Sequence, residues 1–286
     1  MMEAQRAHSG LQMLLRLLAR LALIRVTVAY AVIVTCVTIG LCALGPLVRD
    51  RVISHVSTNL HNLSHGHIGT LLDSAFVVDA GPMYVWLPGL VCLLALAELM
   101  WGSVRLVVAF AVGHVGATLL VAAGLTAAVE LGWLPVSVSR AADVGMSYGA
   151  TAVLGSLTAA LPRRWRPAWI GWLLAAGVGV VAVGRDFTDV GHAVALVLGM
   201  LVSIRFRRPH HWTPVRFVML GAAAAFGYLV LASTDLVVAT AAAMAGAVVA
   251  ECVRRTRLRR RSVPKAAVRA VAPESNAFEA RSGHRL

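Results

Sequence analysis

Residues 83–127 read MYVWLPGLVCLLALAELMWGSVRLVVAFAVGHVGATLLVAAGLTA, and this stretch decides the fold. It holds two apolar runs, 83–101 and 104–127, whose only formal charges are Glu98 and Arg105, with Gly102 and Ser103 marking the junction. A helix rises 1.5 Å per residue, so about 20 residues cross the roughly 30 Å of bilayer hydrocarbon. Each run has about that length, which predicts two membrane helices joined by a tight turn.

Working outward, comparable runs recur at 26–48, 144–161, 168–184, 188–205, 216–232 and 236–253. The predicted fold class is therefore all-α, a polytopic membrane protein of eight helices embedded in a lipid bilayer. Composition agrees: 59% of the residues are hydrophobic, only 14% are charged, and the mean hydropathy is +0.78, values outside those of soluble domains. Only Ser233, Thr234 and Asp235 separate the last two runs. One continuous helix there would leave Asp235 in hydrocarbon at about 2.5–3.5 kcal/mol, so two helices are expected.

The formal charge of +13 is carried mainly by arginines at helix ends and in the terminal tail. Arg105, then Arg163, Arg164 and Arg166, then Arg205, Arg207, Arg208 and Arg216 fall on one side of the predicted bundle. The opposite side receives a histidine-rich loop over 49–82 and the segments ELGWLPVSVSRAAD, RDFTD and STD, with far fewer arginines. The positive-inside rule then places both termini in the cytoplasm of an inner (plasma) membrane. This explanation of the charge argues against nucleic acid as a partner.

Residues 1–25 contain LQMLLRLLARLALIR, where Arg16, Arg20 and Arg25 recur among leucines, so this segment is expected as a basic amphipathic helix or a simple topological anchor. From Arg254 to Leu286 the tail RRTRLRRRSVPK and its continuation lack apolar periodicity and are expected to be disordered. The run from Val26 is too long for a signal-peptide core and no AxA-like site follows it. Cys36, Cys42, Cys92 and Cys252 form no CxxC pair or metal spacing.

Ionisable and hydroxyl side chains inside spans are costly and mark candidate sites. The fourth span opens with Gly145-Met146-Ser147-Tyr148-Gly149, the sixth with Gly191-His192, and the third carries a lone His114 flanked by Gly113 and Gly116. Ser147 precedes Leu161 by 14 residues and His192 precedes Arg205 by 13, which puts both about 20 Å above the arginine-rich face. The ladders Gly145/Gly149 and Gly191/Ala195/Gly199 favour close helix approach. Ser147 and His192 are therefore expected to face one another, either as a nucleophile and its base or as a hydrogen-bonded structural pair. His114 is expected to be structural.

At these residues the chain resembles the rhomboid family of intramembrane serine proteases, whose members carry a GxSG motif on one helix and a catalytic histidine on another. GMSYGATAVLG matches at Gly145, Ser147 and Gly155, and GHAVALVLG matches at His192 and Gly199. AELMWGSVRLVVAFAVGHVGATLL resembles the junction of the second and third family helices, with Glu98, Gly102 and Arg105 in corresponding places. The resemblance implies a six-helix domain over 26–206, followed here by a transmembrane hairpin over 207–253 and the basic tail over 254–286.

It also implies Ser147 as nucleophile, His192 as general base, no cofactor, and transmembrane protein substrates. The chain departs from the pattern at Tyr148 and Ala195, both glycine in the family, and lacks the family's Trp-Arg pair. The positions of the oxyanion-stabilising His and Asn fall near Gly81 and Val85, which offer no side-chain donor. Asn62, His65 and His67 of the outer loop are candidate substitutes for that support. The loop has two other readings: a zinc site at His61, His65 and His67, and a simply solvated segment. Two functions stay open, an intramembrane protease and a catalytically inactive relative that binds membrane clients. Neither a broken helix pair nor an inverted repeat supports a transporter.

Overall fold

Apolar chain in hydrocarbon must satisfy its backbone internally, and here every regular element of the described residues is helical. The computed structural model describes residues 12–13, 15, 18–78, 81–141, 145–184, 186–206, 212–232 and 235–262. Arg16, Arg185, Arg207, Arg208, Ser233, Thr234 and the expected disordered stretch 263–286 lie outside them. Residues 18–22 are helical and exposed. The elements in chain order are α1 (Arg25–Ala43), α2 (Pro46–Val56), α3 (Leu60–Ser64), α4 (Thr70–Asp73), α5 (Met83–Trp101), α6 (Ser103–Glu130), α7 (Ser147–Ser156), α8 (Arg166–Val183), α9 (Phe187–Ser203), α10 (Pro214–Leu231) and α11 (Leu236–Ser262).

Among the described residues six helices are long and apolar enough to cross a membrane: α1, α5, α6, α8, α10 and the Leu236–Arg259 part of α11. The shorter α9 is also apolar, with 17 residues. The turn between α5 and α6 is as tight as its sequence predicts, because Gly102 adopts φ +82° and ends one helix while opening the next.

The fourth predicted span, 144–161, is shorter than expected. Helix α7 has 10 residues, about 15 Å, followed by a 3-10 turn at Leu157–Ala159. Its surroundings are protein: nine of the ten residues, Tyr148 to Ser156, are buried. Both ends find protein partners. The Gly145 N–H donates to the Ser74 carbonyl at 3.0 Å, and Arg166 donates to the carbonyls of Leu161, at 2.8 Å, and of Ala159. A helix sheltered this way needs no full bilayer length.

Helices α5, α6, α9 and α10 pack around α7, while α1 lies against α5 and α8 against α9. The close approaches are made by glycines. A Cβ at Gly199 would collide with the Ala152 carbonyl oxygen, one at Gly155 with the Leu196 carbonyl, and one at Gly113 with Ala152 Cβ. The two extra C-terminal helices dock on different partners. Helix α10 packs on α5, with Phe226 against Gly89 and Leu154 of α7 in the space over Gly227. Helix α11 lies along α8, where Gly171 and Gly246 meet backbone to backbone. Tyr228 and Thr240 hydroxyls, 2.5 Å apart, tie α10 to α11.

The expectation of disorder from Arg254 is corrected, because α11 continues to Ser262. Glu251 accepts from Arg254 at 2.6 and 2.7 Å and from Arg255 at 2.9 Å, the i+3 and i+4 pairing that supports a helix. Arginine is also a good helix former, so a run of them does not by itself end one.

Candidate functional site at the α7–α9 seam

Helix α7 presents Tyr148, Ala152 and Gly155 to α9, a 4-3 spacing that forms one stripe. Helix α9 answers with Gly191, Leu196 and Gly199. Of the ladders expected from sequence, Gly145 and Gly149 face Val77 and Phe110 instead, and it is Gly155, Gly191 and Gly199 that bring α7 and α9 into contact. They set the seam in a register that the motifs do not announce.

The side chain against His192 is Tyr148. Its ring meets the imidazole edge-on, with centroids 5.3 Å apart, and lies over Gly191, where a Cβ would strike the phenol. Both rings are buried, at 2% and 6% exposure. Neither ring nitrogen of His192 has a hydrogen-bond partner among the described residues, so the expected Ser147–His192 hydrogen bond is not formed. The helical repeat gives the reason. Ser147 opens α7 one residue before the stripe that faces α9, about 100° around the helix from Tyr148. It is half-buried rather than sealed in the seam.

The candidates for oxyanion support are engaged elsewhere or exposed. Asn62 Nδ2 donates to the carbonyls of Ser54, His55 and Ser57, at 3.1, 3.3 and 2.8 Å, which closes the turn between α2 and α3. His65 is exposed and its Nδ1 lies 2.8 Å from the His61 carbonyl. His67, also exposed, pairs with the ring of His55 at 6.2 Å. The three-histidine zinc reading is likewise not assembled: among the described residues no three metal-ligating side chains come together.

Sequence reasoning missed a buried serine–histidine contact elsewhere. Ser74, in the 3-10 turn that follows α4, places Oγ 3.2 Å from His114 Nε2 of α6, while its carbonyl accepts from Gly145. Ser74 thus joins the loop both to α6 and to the segment entering α7. Tyr30 adds a second tie by donating to the Ala75 carbonyl at 2.6 Å. No local signal links Ser74 to a histidine 40 positions away; the pair exists because the segment around Ser74 packs against α1 and α6.

Glu98 is the other buried polar centre, 2% exposed. Its carboxylate accepts from the N–H groups of Val26 and Thr27 at 3.0 and 2.8 Å, and from the hydroxyls of Thr27 and Ser103, both at 2.7 Å. It thereby caps the first turn of α1, whose amide donors lack intrahelical acceptors, and fastens that turn to the α5–α6 junction.

The apolar helices, the buried short α7 and the glycine-packed seam define a polytopic α-helical membrane protein. The profile of the Rhomboid-like protein family matches residues 23–208, and the chain belongs to that family. No curated protein and no solved structure gives a significant match.

Proposed function

We propose that this rhomboid-like protein engages transmembrane partners without cleaving them, with its arginine-rich end in the cytoplasm of a plasma membrane, as the positive-inside bias favours. One observation carries the reading: His192, the residue that would act as base, has no hydrogen-bond partner among the described residues and is covered by Tyr148. A base must come within about 3 Å of the proton it removes, directly or through one water. The missing oxyanion donors point the same way, since loss of one such donor costs about 100- to 1000-fold in rate.

The protease reading keeps one supporting observation, the backbone-close contact of α7 with α9, which holds the two motif helices together. Labelling of the purified full chain with a fluorophosphonate probe separates the two readings. We expect no labelling of Ser147 in the wild type. Labelling that Ser147→Ala removes would overturn the proposal. A Tyr148→Gly variant identifies the cause: labelling that appears only in this variant shows Tyr148 to be the element that keeps the seam closed.

A further inference from the structure

We propose that the arginine-rich end of α11 forms, with α8, a binding notch for the headgroup of an anionic phospholipid. Ala250, Val253, Arg254, Arg257 and Leu258 follow one another at helical spacing and occupy a single face of α11. Together with Pro167, at the start of α8, they line a cavity of about 280 Å³. Higher in the bundle this side of α11 is covered by α8, as at Gly171 and Gly246. Helix α8 begins only at Arg166, whereas α11 runs on to Ser262. The notch is the space left where the shorter helix stops.

Its chemistry is split in a way that matches a phospholipid. Pro167, Ala250, Val253 and Leu258 give it apolar walls, and Val253 and Leu258 are 44% and 51% exposed. Arg254 and Arg257 line the same cavity and supply guanidinium groups that can pair with a phosphate. The neighbouring carboxylate, Glu251, is already occupied by Arg254 and Arg255, and Arg257 has no ion-pair partner among the described residues. The balance at the notch is therefore cationic. A free phosphate would satisfy the arginines and leave the apolar walls in water, whereas a lipid satisfies both. Basic pockets between membrane helices are known acceptors for anionic headgroups.

The test uses the purified full chain in detergent, with bound lipid counted by native mass spectrometry after adding phosphatidylglycerol or phosphatidylcholine. Phosphatidylglycerol should be retained preferentially. Arg257→Gln should lower its occupancy about fivefold, the effect of one arginine at an anionic surface, and Arg257→Lys should restore most of it. Arg255→Gln, outside the notch, should leave it unchanged. Equal retention of the two lipids overturns the proposal, as does an Arg257→Gln variant that binds like wild type while eluting as the same folded species. Complete displacement of phosphatidylglycerol by inorganic phosphate would also overturn it, by assigning the site to the free anion.

Discussion

At the α1–α5–α6 junction four donors converge on the carboxylate of Glu98, whereas at the α7–α9 seam the two ring nitrogens of His192 meet none among the described residues. Both side chains are nearly inaccessible. A buried polar group that is fully hydrogen-bonded specifies how helices are joined, and its loss leaves orphaned partners behind. One that is buried without partners adds nothing to stability through its polar atoms. The fold therefore uses the carboxylate of Glu98 in full and leaves the ring nitrogens of His192 unused among the described residues.

This comparison predicts unequal responses to substitution. Glu98→Ala should have the largest effect. It strands two first-turn amides and two hydroxyls at about 1–3 kcal/mol for each buried group left unsatisfied, so a net loss of about 3 kcal/mol is expected after partial relaxation. Thermal unfolding in detergent checks it, and a change below about 1 kcal/mol would mean that water replaces the carboxylate readily.

Gly199→Ala comes next. Its methyl would enter the Ala152 carbonyl, which belongs to backbone and cannot turn away. Separation of α7 from α9 should cost about 1–3 kcal/mol, measured by the same unfolding transition. A neutral result would show that the seam tolerates a wider spacing.

The smallest effect is expected for His192→Leu, because both partners of a hydrogen bond are not being broken and an apolar group of similar size remains packed under Tyr148. Stability should stay within about 1 kcal/mol of wild type and can rise. A loss as large as that of Glu98→Ala would erase the contrast, and would reveal a hydrogen bond to His192 that forms in the membrane.

The fold was legible in run lengths because hydrocarbon leaves so few options to a backbone. The apolar runs at 26–48, 83–101 and 104–127 become α1, α5 and α6 with small shifts at their ends. Family membership was legible through Gly145, Ser147, Gly155, His192 and Gly199, and the family match agrees with it. The length of α7 was misjudged because hydropathy does not distinguish a helix bathed in lipid from one wrapped in protein. The end of α11 was misjudged because composition alone does not register the i+3 and i+4 pairing of Glu251.

By itself the sequence determined an all-helical membrane chain and its arginine-rich end, since each depends only on the chain's local apolarity and charge. Only the tertiary structure decided which side chain meets which. Tyr148 rather than Ser147 faces His192, Ser74 reaches His114 from 40 positions away, and Glu98 caps a helix that starts 73 residues earlier. These contacts depend on the rotation and relative height of packed helices, set by where glycines let one backbone approach another, and a helical rotation of about 100° is a single residue in the sequence.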